Sequence, residues 1–166
     1  LQKPKGPNAK GPHYSPADSG ADHFPFQVIN SYLTDRTLFD TRMPAMLLAE
    51  RKFAQLPDGR LPEWVDLTRG ELGPPSAFAA AEYAKDGLLS ITGLIGESIY
   101  SERMVELVQM VMTRADTPTA FGALPGPGAE INGDLLMVLV PLAWAERAKP
   151  GPDDRYAAWA KRIVDA

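Results

Sequence analysis

The stretch GPGAEINGDLLMVLVPLAWAER, residues 126–147, carries an apolar run from Leu135 to Ala145. Such a run is well short of the roughly 20 residues that cross a bilayer, and Pro141 interrupts it. It therefore reads as a core helix, beginning near Ile131 or Gly133 and ending at Arg147. A helix that is apolar all round needs cover on both sides. That requirement points to layered helices.

The segments around it read the same way. Ser76 caps a helix through Ile95, which Gly96 closes, and Ser101 caps another, SERMVELVQMVMTRA, that ends before Asp116 and Pro118. AKPGP breaks the chain, and Asp153 begins a last helix, DDRYAAWAKRIVDA. Earlier, Leu38, Phe39, Met43, Met46, Leu47 and Phe53 fit an amphipathic helix, with Pro44 near its first turn or kinking it. QLPDGRLPEWVDLTRGELGPP between them reads as a loop. No segment shows period-two alternation, so the expected class is all-α.

SERMVELVQMVM (101–112) and DDRYAAWAKRIV (153–164) superimpose. Ser101 falls on Asp153, Glu102 on Asp154, Arg103 on Arg155, Met104 on Tyr156, Leu107 on Trp159 and Val111 on Ile163. Each follows an apolar helix and a short turn, which makes two αα-hairpins with an apolar inner and a more polar outer helix. The repeat of about 50 residues exceeds most helical-repeat units.

Composition removes several classes of function. The 166 residues carry a net charge of −4 from 17 basic and 21 acidic side chains, evenly mixed. This leaves no basic stripe for nucleic acid and no polybasic segment for anionic lipid. The absence of cysteine excludes disulfides, thiolate metal sites and cysteine nucleophiles. No metal motif, nucleophile elbow, phosphate loop or dinucleotide fingerprint is present, and neither a metal nor a cofactor is expected. Residues 1–30 read as an extended Pro/Gly-rich arm, and 31–166 as the helical-hairpin domain. A start at Leu1 suits an exported protein cut after its signal peptide, hence a periplasmic or secreted setting, and equally a trimmed chain. A helix that stops at Ala166 without a stop signal suggests hairpins still to come, in this protein or in a second chain.

The phrases AEYAKDGLLSITGLIG, SERMVELV, AEINGDLLMVLVPLAWAE and DDRYAAWAKRIVDA resemble bacterial proteins of the six-hairpin glycosidase superfamily, built as an (α/α)6 toroid. The resemblance covers residues 36–166, the first two or three hairpins of six. It implies a carbohydrate-active enzyme with its cleft at the inner-helix ends. A glycoside hydrolase acting on uronic-acid-containing saccharides is the first expectation. A polysaccharide lyase, a sugar epimerase or a non-catalytic binding module are the alternatives.

Hydrolysis of a glycosidic bond needs two carboxylates in different environments. Glu130 and Asp134 are four apart and share a face if their helix begins early. Asn132 and Asp134 have a structural explanation as N-cap and first-turn acid; Glu130, which would precede the cap, has none. Asp86, beside Gly87 in a helix interior, is costly there and needs a reason, which facing the cleft or pairing with Lys85 or Arg103 would supply. The expected catalytic residues are therefore Glu130, Asp86 and Asp134. Asn132, Trp64, Glu63 and Tyr83 are the expected substrate contacts, with Trp64 as a sugar-stacking ring.

Overall fold

The computed structural model describes residues 13–16, 24–96, 98–114 and 127–165. Over these the protein is mostly helical. Strand β1 (His13–Tyr14) is followed by helices α1 (Phe24–Thr34) and α2 (Arg36–Phe53), then strands β2 (Val65–Asp66) and β3 (Glu71–Leu72). A continuous rod comes next: α3 (Ala77–Glu82), a π-helical segment π1 (Tyr83–Leu89) and α4 (Ser90–Ile95). Helices α5 (Ser98–Thr113), α6 (Pro127–Glu146) and α7 (Arg155–Val164) complete it. Expectations for the rest of the arm and for the loop before residue 127 lie outside the described residues.

Local chemistry explains the boundaries. Asp35 separates α1 from α2, its carboxylate accepting from the Leu38 amide at 3.0 Å. Ser76 caps the rod as expected, accepting from Ala79 N at 3.0 Å. Gly96 ends it with φ 76, a left-handed stop that suits glycine. Two expected caps move inward. Ser101 lies inside α5, its hydroxyl donating to Ser98 O, and α6 begins at Pro127 rather than at Ile131 or Gly133. Proline suits a first turn because the amide it lacks would have had no partner there.

Consecutive helices pack in pairs: α1 with α2, the rod with α5, and α6 with α7. The rod is central and also packs on α1 and α6. The core unites Phe24 and Val28 of α1, Phe39, Met43 and Leu47 of α2, and Leu88 and Ile91 of the rod. Leu107 and Val111 of α5, Leu135 and Leu139 of α6, and Tyr156 and Ile163 of α7 join it. Of the positions compared between α5 and α7, Met104, Leu107, Val111, Tyr156 and Ile163 are buried and Trp159 is partly buried. The arginines differ: Arg103 is buried, whereas Arg155 is exposed and pairs with Asp153.

Three expectations need correction. Residues 24–30, assigned to the arm, form a helix because Phe24 and Val28, one turn apart, both reach the core. The loop between α2 and α3 supplies β2 and β3, which join β1 from the arm in a small antiparallel sheet of order β1-β2-β3. Tyr14 pairs with Val65 and Val65 with Leu72, and strands of two residues are too short to show a period. Finally, α6 is covered on one side only: Met137, Val140 and Trp144 are exposed, since no described element packs on that face.

Candidate functional site

The π segment sets the site. A π turn places one extra residue in the ring closed by each hydrogen bond, and such turns recur at functional positions. Here it carries Tyr83, Lys85, Asp86 and Gly87. Lys85 points toward α6. Its Nζ lies 2.6 Å from Asp134 Oδ1 and 3.0 Å from Asp86 Oδ2, so one ammonium joins two of the expected catalytic acids. Burial alone would lower the Lys85 pKa, but its hydrogen bonds to Asp134 and Asp86 outweigh that and raise it. The lysine therefore stays charged and is no amine nucleophile at neutral pH.

The early start of α6 changes the roles of its polar residues. Glu130 falls in the first turn, exposed, where the positive end of the helix favours an acid. It shares a face with Asp134 one turn on. Asn132 and Asp134 are interior to the helix and buried at 4% and 6% exposure, so neither is a cap or first-turn acid. Among the described residues, both Asn132 amide atoms and Asp134 Oδ2 lack hydrogen-bond partners. Glu130, which had no local explanation, now has one as a first-turn acid, while Asn132 and Asp134 have lost theirs.

The other expected contacts are elsewhere. Tyr83 is buried in the core, edge-on to Phe24 with ring centroids 6.1 Å apart, and not in a cleft. Trp64 is half-buried and covers Gly73 within the β2–β3 hairpin, where it packs against its own backbone turn. Glu63 is exposed beside it. Asp66 is buried and organises the turn that follows, accepting from Thr68 N at 2.8 Å and Arg69 N at 3.1 Å. Among the described residues, no group of three or more His, Asp or Glu side chains could hold a metal ion. No described helix is long and apolar enough to cross a membrane.

A second ionic cluster joins α2 to α5. The carboxyl oxygens of Glu50 are shut off from solvent, and burial pushes the group up from 4.5 to about 7 despite Arg103, Tyr83 and Arg51 favouring its charge. Glu106 Oε2 receives Arg51 at 2.5 Å and Arg103 at 3.2 Å. Arg103 was legible in the sequence, since it precedes Leu107 by one turn and so occupies the apolar face of α5. Glu50 carried no such signal, because its burial depends on where α5 packs.

No protein family, curated protein or solved structure matches the chain. The functional reading rests on the two ionic clusters and on the order of the helices.

Proposed function

We propose that this protein is part of an (α/α)6 toroid of the six-hairpin type that processes uronic-acid-containing saccharides, with glycosidic-bond hydrolysis as its chemistry. An exported setting goes with that reading. The observation that carries it is the junction of Asp86 and Asp134 through Lys85, with Glu130 on the same face of α6. Asp134, fixed by Lys85, suits the nucleophilic or charge-stabilising role. Glu130, exposed at the helix start, suits proton transfer to and from the sugar. The consecutive helix pairs and the uncovered apolar stripe of α6 support the toroid, in which a further hairpin or a second chain would cover Met137, Val140 and Trp144.

The test is reducing-end release from uronic-acid-containing oligosaccharides. Glu130→Gln and Asp134→Asn should each lower turnover by about 100-fold or more while the fold is retained. Binding of the saccharide without turnover would move the assignment to a non-catalytic binding module. Undiminished turnover in Glu130→Gln would remove that residue from the chemistry.

A further inference from the structure

The second cluster opens onto a cleft of about 460 Å³ between α2, the turn after it, and α5. Arg51, Gln55, Arg103, Glu106, Gln109 and Arg114 are among its lining residues. The volume is within the usual range for a small-molecule site. Its charges are unevenly satisfied. Glu106 is shared by Arg51 and Arg103 through a single oxygen. Asp58, also on the lining, is engaged by Arg60 at 2.7 Å, and Arg114 donates to the Asp58 carbonyl at the rim.

Arg103 is only 3% exposed, yet its Nε and Nη2 have no hydrogen-bond partner among the described residues. Arg51 Nε and Gln55 Oε1 are likewise buried and unpaired. A buried guanidinium with open donors is costly, and the edge formed by Nε and Nη2 is the one that grips an oxyanion with two parallel hydrogen bonds. Glu50, faced by Arg103, Arg51 and Tyr83, is a group that could compete for these donors besides Glu106, and burial favours its neutral form.

We propose that the cleft between α2 and α5 is a binding site for the carboxylate or phosphate group of a small molecule, held by Arg103 and Arg51. The site stands apart from the proposed hydrolytic residues on π1 and α6, and its test does not depend on them. When Glu50 is neutral, Glu106 is the carboxylate that engages both arginines, through Nη1 of Arg103, and the Nε–Nη2 edge of Arg103 is left without a charged partner among the described residues. When Glu50 ionises, it competes with the ligand, so binding weakens as the pH rises through about 7.

Calorimetric titration of the full chain in phosphate-free buffer at pH 6 would use inorganic phosphate, glucuronate and neutral glucose. Binding of phosphate, glucuronate or both, with none of glucose, is the expected result; the anion that binds identifies the source chemistry. Arg51→Gln, at a partly exposed position that tolerates the change, should weaken binding about tenfold or more, as should Arg103→Lys, which keeps the charge but loses the fork. Glucuronate, whose own charge is constant between pH 6 and 8.5, should bind less tightly at the higher pH, and Glu50→Gln should abolish that dependence. Failure of both anions to bind would overturn the proposal. Equal affinity in wild type and Arg51→Gln would do the same.

Discussion

Replacing Glu50 by Gln removes a carboxyl whose ionisation is held back by burial. The folded protein keeps this proton to about pH 7, whereas an unfolded chain releases it near 4.5. Between those values the unfolded state binds fewer protons than the native state, so stability falls as pH rises, and above about 7 the loss is complete. At 1.36 kcal/mol per unit, the difference is about 3 kcal/mol. A glutamine of the same shape has no proton to lose and should show no such decline. The assay is urea unfolding of both proteins at pH 4.5, 5.5, 6.5 and 7.5, comparing the stability difference at each pH. Other groups that titrate identically in both proteins cancel in the difference. Three surface acids act outside the window. Asp58 is lowered by the Arg60 backbone amide, Glu146 by Lys149, and Asp153 by the Arg155 side chain, so what they contribute is lost only as pH falls through their lowered values. The reasoning expects Glu50→Gln to gain about 3 kcal/mol on the wild type across this range. A difference constant to within about 1 kcal/mol would mean that the carboxyl is solvated, and the argument from burial would be wrong.

Other outcomes follow from the same contacts. Lys85→Met leaves Asp134 without its cation and should cost about 2 kcal/mol, less than for a fully enclosed pair because Lys85 is partly open; adding Asp134→Asn should recover much of that in a double-mutant cycle by denaturation. Leu139→Ala, in the core, should cost about 3 kcal/mol, while Val140→Ala on the uncovered face should cost well under 1; equal losses would mean that this face is covered in solution. Gly73→Ala would set a Cβ 2.8 Å from the Trp64 indole, so the ring must shift. Its fluorescence should move and stability should fall by about 1–3 kcal/mol, and an unchanged spectrum would count against the packed hairpin.

Much of this fold is written locally. The rod's start at Ser76 and stop at Gly96 follow from a hydroxyl cap and a left-handed glycine, which need only neighbouring backbone. The matched apolar positions of α5 and α7 are legible for the same reason: one turn of helix puts Met104 near Val108, and Tyr156 near Ala160, whatever surrounds them. Glu130 and Asp134 were placed on one face by spacing alone. The sequence misled where burial depended on a distant partner. Asn132 looked like a cap because asparagine is a favoured cap and an apolar run follows it, yet Pro127 begins the helix more than a turn earlier. Tyr83 looked like a cleft residue until Phe24, more than fifty positions away, packed against it.

The amino-acid sequence by itself determined that the protein is mostly helical, where several helices end, and which stripes are apolar, because capping and periodicity are local properties of the chain. Only the tertiary structure decided that Lys85 joins Asp86 to Asp134, and that Glu50 lies beside Arg103. A charge acquires its chemistry from the groups and the dielectric around it, and these come from helices that meet only when the chain has folded.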